Sequence, residues 1–219
     1  MALRTISICA GVGGLDLGVR IARPNTRCVA FVEREASAAA SLVASMEAGR
    51  LHPAPIWSDL RTFDPEPWRG AVDCVLSGDP CQGNSVAGKR LGEDDDRWLL
   101  DRAIDVFDGS GAHTFFRENV VGQLAVAVPA LERLGCRVAA GIFSAAEAGA
   151  SHRRERFFIL AYRDRDEPGA DSQRTDAGSD RWYDAGGGVR TLDDALRGRH
   201  GHADETLRTG RDGSVDAGG

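Results

Sequence analysis

The chain lacks a long apolar run, a CxxC pair and any excess of positive charge. A helix that spans a bilayer needs about twenty consecutive apolar residues, so membrane insertion is not expected. No basic segment followed by an apolar stretch reads as a secretory signal, which argues against export. The five cysteines (Cys9, Cys28, Cys74, Cys81 and Cys136) are scattered. None stands at a zinc-ligand spacing, so no metal centre is expected. An odd number of thiols without a secretory signal reads as reduced cysteine in a cytoplasm. The formal net charge of −6 does not advertise nucleic-acid binding. Phosphate contact depends instead on where cations cluster, and two clusters are present: Arg153, Arg154 and Arg156, and Lys89, Arg90 and Arg97.

Apolar residues make up 42% of the sequence and are unevenly placed. Beyond residue 163 aromatic and branched side chains become scarce, while Gly, Asp and Arg dominate. Such a stretch cannot bury enough apolar surface to offset the entropy of ordering it. The sequence therefore predicts one folded domain over residues 1–162 and a poorly ordered Gly/Asp/Arg-rich tail over residues 163–219. Echoes within that tail, such as Thr175-Asp176-Ala177-Gly178 and Val215-Asp216-Ala217-Gly218, read as low complexity.

The N-terminal part alternates strand and helix patterns. Arg4–Cys9 is a short β-branched run followed by the glycine-rich turn Ala10-Gly11-Val12-Gly13-Gly14-Leu15. A strand, a glycine turn and a helix start form the usual reception for a nucleotide-like cofactor, although the same turn also serves tight packing alone. A second strand, Arg27–Val32, ends in Glu33 and Arg34, and an acid placed there can accept hydrogen bonds from ribose hydroxyls. An alanine-rich helix over Glu35–Glu47 follows. A short third strand, Ile56–Ser58, then ends in Asp59 and Leu60.

The fourth strand, Ala71–Leu76, runs into Gly78-Asp79-Pro80-Cys81-Gln82-Gly83-Asn84-Ser85. Glycines, a proline and short polar residues stop any regular element there and hold one thiol at a strand tip. A helix over Trp98–Phe107 and a fifth strand, His113–Arg117, then deliver Glu118-Asn119-Val120. A helix over Val121–Leu134 and two strands, Cys136–Phe143 and Arg156–Tyr162, complete the pattern. The alternation predicts an α/β, doubly wound, mostly parallel sheet, with Gly11–Gly14, Glu33, Asp59, Cys81 and Glu118 converging on the edge where such sheets bind ligands. A thiol beside a carboxyl group at that edge suggests nucleophilic catalysis with general-acid assistance.

The segments Gly11–Gly18, Pro80-Cys81-Gln82, Glu118-Asn119-Val120 and His152-Arg153-Arg154-Glu155-Arg156 stand in the order of the DNA cytosine-5 methyltransferases, which the chain resembles from Thr5 to Tyr162. The resemblance implies a Rossmann-like fold that uses S-adenosylmethionine to methylate carbon 5 of cytosine in DNA. It gives Cys81 the role of adding to carbon 6 of a flipped cytosine, and Glu118 that of bonding or protonating N3. Arg154 and Arg156 would support the glutamate and contact the pyrimidine, and Asn119 would brace the cysteine loop. Ala10, Gly11, Gly13, Gly14 and Leu15 would pass the methionine moiety. Glu33 would bind the ribose and Asp59 the adenine amino group, with Arg34, Leu60 and Pro80 flanking them. Gln82, Ser85 and Arg97 would face the nucleic acid.

There are departures from the family's pattern. Cys9 stands where the family usually has an aromatic residue, His152 where it commonly has glutamine, and Asn84 where an aromatic is frequent. No target-recognition domain is visible after Arg163, which implies either a truncated form or a second polypeptide that supplies one. Methylation of RNA by the same residues, or a non-catalytic cofactor- or DNA-binding remnant, stand as alternatives.

Overall fold

The computed structural model describes residues 2–80 and 99–163, together with the backbone of residues 181–183 and 189–191. The first strand, β1 (Leu3–Ile8), turns into α1 (Gly14–Ala22). β2 (Thr26–Val32), α2 (Ala36–Glu47), β3 (Ile56–Trp57) and β4 (Cys74–Ser77) follow. Then come α3 (Leu100–Gly109), β5 (Thr114–Asn119), α4 (Leu124–Arg133), β6 (Arg137–Ser144) and β7 (Glu155–Tyr162). The helix expected over Val121–Leu134 is divided, because residues Val121–Gln123 form a 3-10 turn ahead of α4. Pro129 lies inside α4 and has no N–H to give the carbonyl one turn back. Its amphipathic face nonetheless buries Leu124, Ala127, Val128 and Leu131, and that packing holds the helix.

One seven-stranded sheet has the order β3-β2-β1-β4-β5-β7-β6. The pairs from β3 through β5 are parallel, while β7 runs antiparallel to both β5 and β6. The sheet is mostly parallel, as expected from the alternating pattern. The direction of winding switches between β1 and β4, the place where sheets of this kind open a ligand crevice. All four residues of β4 are buried, as a central parallel strand covered on both faces requires.

A register shift between Thr5 and Ile6 pairs them with Cys28 and Ala30, leaving Val29 as the extra residue. The shift changes which face successive residues of β2 present. Two cores result. Ile6, Val32, Val75, Phe115 and Phe157 pack with α3 and α4, whereas Cys28, Phe31, Leu42 and Leu51 form a smaller cluster with α2.

Inside the stretch read as a tail, β8 (Arg181–Tyr183) and β9 (Val189–Thr191) pair antiparallel, and β8 lies beside β6. Among the described residues no helix is long and apolar enough to cross a membrane.

Candidate active site

The turn after β1 is shaped by backbone torsions that side chains disfavour. Gly11 has φ 56° and Gly13 φ 82°, and Cys9 adopts φ 50° without the freedom of a glycine. A Cβ on Gly13 would lie 2.9 Å from Leu51 Cδ1 and 3.0 Å from Leu42 Cδ2, so this glycine faces the α2 core. Among the described residues nothing lies within 4 Å of where a Gly11 Cβ would stand, and Gly11 donates its N–H to Glu33 Oε2 at 2.6 Å. The other oxygen of Glu33 accepts the N–H of Glu35 at 2.7 Å. One carboxylate thus ties the end of β2 to the glycine turn. A Cβ on Gly78 would come within 3.2 Å of the Cys9 carbonyl oxygen, so the ends of β1 and β4 approach closely.

Two cavities open on either side of this crossing, of about 740 and 310 Å³, and both are lined by Cys9, Gly11 and Gly78. Ala10, Gly14, Leu15, Phe116, Glu118 and Arg154 face the larger. Glu33, Arg34, Asp59, Leu60, Arg61 and Pro80 face the smaller. Of the residues expected to receive a cofactor, Gly13 faces neither. Asp59 caps the turn that follows it by accepting the Arg61 N–H at 2.9 Å. Burial pushes the Cys9 thiol up to about 12, with the carboxylates of Asp79 and Glu33 adding to the effect, so it stands as a neutral wall between the compartments.

Glu118 reaches the larger cavity from the end of β5. Arg156 Nε stands 3.0 Å from its Oε1, with 23% and 30% of the two side chains exposed. The carboxyl is nevertheless raised above its ordinary range, because burial outweighs the opposing pull of Arg156 and Arg154. Arg154 lines the same cavity with a left-handed backbone, φ 31°, just ahead of β7. The stacked rings of Phe116 and Phe158, 5.9 Å between centroids, form an apolar wall beside the acid.

Asn119, one residue on, points to the opposite side, as alternation along a strand dictates. Its Nδ2 donates to the Asp79 carbonyl at 2.8 Å and to Asp79 Oδ2 at 3.2 Å. It therefore braces the segment that leads to residue 81. Cys81, Gln82, Ser85 and Arg97 lie outside the described residues.

Sequence reasoning missed two acids and an arginine. Asp79 and Arg117 form a buried ion pair under the strand ends, at 2.7 Å. A charge inside the apolar run Thr114-Phe115-Phe116-Arg117 was its one visible signal. Asp16 on α1 is 4% exposed and accepts the Ser7 hydroxyl at 2.6 Å. Burial raises its carboxyl to about 6.

Comparison with known proteins gives the family of the chain. The model of a family described as C-5 cytosine-specific DNA methylase matches residues 3–194. The type II methyltransferase M.NgoMIV of Neisseria gonorrhoeae is 37% identical over 128 residues, which cover 57% of this chain and 38% of that one. M.CviJI of Paramecium bursaria Chlorella virus IL3A is 29% identical over 175 residues, 77% of this chain and 45% of its own. The chain thus spans less than half the length of these two relatives. M.AquIA of Picosynechococcus sp., 29% identical over 185 residues, is covered over 73% of its length. Among solved structures, a Spodoptera frugiperda DNMT2 mutant superposes with a TM-score of 0.59 at 18% identity, covering 80% of this chain and 54% of that one. Entamoeba histolytica EhMeth gives 0.58 at 16%, covering 74% and 53%, and the two share the fold. Matched by the family model over most of its length, the chain belongs to the C-5 cytosine-specific DNA methylase family.

Proposed function

We propose that the chain is the catalytic part of an S-adenosylmethionine-dependent methyltransferase that modifies carbon 5 of cytosine in DNA. The observation that carries the reading is Glu118, raised toward its protonated form, opening with Arg154 onto the cavity that the glycine turn lines. S-adenosylmethionine, when bound, supplies a methyl group on a sulfonium. Glu33 and Asp59 would hold its nucleoside, and the backbone of Ala10, Gly11, Gly14 and Leu15 would run along its amino-acid half.

The thiolate of Cys81 would add to carbon 6 of the cytosine. Glu118 would bond or protonate N3 as that bond forms, which moves electron density to carbon 5. Arg156 and Arg154 would hold the glutamate and the pyrimidine edge. After carbon 5 has been alkylated, loss of its proton to solvent water, expulsion of the thiolate and return of the N3 proton to Glu118 would restore the ring, the acid and Cys81. Asn119 would act from below by fixing the approach to residue 81.

Labelled methyl transfer to DNA tests the reaction, with and without the product of the neighbouring reading frame as a source of target recognition. RNA of the same sequence serves as the competing substrate. Duplex DNA with 5-fluorocytosine gives the sharper test, because the adduct cannot resolve. Wild type should be trapped and Cys81→Ala should not. Equal behaviour of the two would remove Cys81 as the nucleophile.

A further inference from the structure

Asp79 and Arg117 have no part in the chemistry just described, yet theirs is the most enclosed charge pair among the described residues, with side chains 1% and 0% exposed. Arg117 Nε donates to Asp79 Oδ1 at 2.8 Å and Nη2 to Oδ2 at 2.7 Å, a two-pronged contact. The Ser77 hydroxyl donates to Oδ1 at 2.7 Å, Asn119 Nδ2 reaches Oδ2, and Gln123 Oε1 accepts from Arg117 Nη2. The guanidinium also lies 5.5 Å from the centre of the Phe157 ring on β7.

We propose that Asp79 and Arg117 are positioning residues, a buried clamp that fixes the end of β4 against the end of β5 and so sets where Glu118 stands beside Gly78–Pro80. The proposal rests on the methyl-transfer reading of that glutamate.

Stability alone does not account for the pair. Taking two charges out of water is costly, and an apolar pair of similar size commonly holds a fold as well or better. What an apolar pair cannot supply is direction. Two parallel charge-assisted hydrogen bonds fix both the separation and the angle of the planes they join.

The register makes that direction useful. Ser77 pairs with Arg117 across β4 and β5, so the clamp sits at the last rung these two strands share, two residues before β5 ends at Asn119. Residues 117 and 119 point to one side of the strand and 118 to the other. Arg117 grips the Asp79 carboxylate, and Asn119 grips the carbonyl and carboxylate of the same residue. One anchor would fix a point. Two anchors astride Glu118 fix the line on which it sits.

The test is the double variant Asp79→Leu/Arg117→Met in the full chain, which removes both charges without stranding either. We expect a folded protein by circular dichroism and an S-adenosylmethionine Kd within about twofold of wild type. Its kcat should fall about 100-fold, the scale of loss that a misplacement near 1 Å causes. The alkaline limb of its pH–rate profile should move as well. A folded double variant with kcat within about threefold of wild type overturns the proposal. If the double variant does not fold, Arg117→Lys takes its place, since it keeps the charge but loses the fork. That variant should lose kcat about tenfold with Kd unchanged, and wild-type kcat in it overturns the proposal.

Should wild type transfer no methyl group at all, the functional reading fails and the clamp is judged separately. Iodoacetamide alkylation of the Cys81 peptide, followed by mass spectrometry, needs neither cofactor nor DNA. A rate changed about fivefold or more by Asp79→Leu/Arg117→Met supports the clamp, and a smaller change overturns it.

Discussion

Arg156 holds Glu118 at 3.0 Å and still does not bring its carboxyl down to the ordinary range. The cation favours the charged form, but the partly dry end of β5 favours the neutral one more. On the proposed reading, that balance favours the form of Glu118 that can give a proton to N3. Glu118→Gln keeps the shape and removes the proton. Removing a general acid typically costs about 10²- to 10⁴-fold in rate, so methyl transfer should fall by that order. The S-adenosylmethionine Kd should stay put, since Glu118 is not among the groups that would hold the cofactor. Single-turnover transfer beside calorimetry checks both halves.

Arg156→Met tests the sign of the same balance. Arg156 lowers the Glu118 pKa, so its loss must raise it further. With the protonated acid as the working form, the alkaline limb of the pH–rate profile should move to higher pH. An alkaline limb that stays put while the acid limb moves to higher pH would mean that the carboxylate, not the acid, is the form in use.

Glu33 spends both oxygens on backbone amides, those of Gly11 and Glu35. Glu33→Ala leaves both donors without that partner and loosens the turn. Charge-assisted hydrogen bonds are worth about 1.5–3 kcal/mol, so the cofactor Kd should rise about 10- to 100-fold. Isothermal calorimetry reads this directly. Glu33→Gln, which keeps one acceptor oxygen, should fall between.

Gly13→Ala separates packing from binding in the same turn. The added methyl would meet Leu51 and Leu42 at about 3 Å, on a backbone with φ 82°. A strained left-handed residue and an overpacked core together predict a loss of about 2 to 4 kcal/mol in chemical denaturation. Cofactor affinity, measured where the variant is still folded, should change much less than in Glu33→Ala.

These sites differ in how visible they are in the sequence. The glycine turn, Glu33, Asp59 and Glu118 lie at or just past strand ends. A strand pattern followed by punctuation residues is enough to place them on one edge. The Asp79–Arg117 pair spans 38 positions of sequence, and neither residue carries a local signal of its partner. Only the parallel pairing of β4 with β5 brings them together. The place of β7 between β5 and β6 is hidden for the same reason, since periodicity states that a strand exists but not which strand it joins. Hairpin β8–β9 was missed because its residues stand among Gly and Asp, which composition reads as unstructured. Asp16 stands in the first turn of α1, where acids are common, and nothing local in the sequence shows that Ser7 would enclose it.

Asp16 therefore gives the most direct test of burial on the α1 side of the sheet. Its Oδ2 accepts the Ser7 hydroxyl, while its Oδ1 has no hydrogen-bond partner among the described residues. Burial raises the carboxyl from 3.8 to about 6, against the smaller lowering by Ser7 and Cys28. In the unfolded chain the group would titrate near its ordinary value. Between these two pKa values the native state binds the proton more tightly than the unfolded one, so stability falls as pH rises from about 4 to about 6. A shift of about two units corresponds to roughly 3 kcal/mol, present in full at low pH and gone above the folded pKa. Asp16→Asn still accepts from Ser7 but cannot ionise. Urea denaturation from pH 4 to pH 8 should show the wild-type decline flattened in this variant, which by pH 8 should be as stable as wild type or more so. Ser7→Ala removes a bond that favours the charged form, and should move the wild-type decline to higher pH. Glu118 adds a slope of the same sign in both proteins, so the difference between the two curves isolates Asp16. Parallel curves would mean that water reaches the Asp16 carboxylate, and that α1 does not close over β1 as tightly as its 4% exposure states.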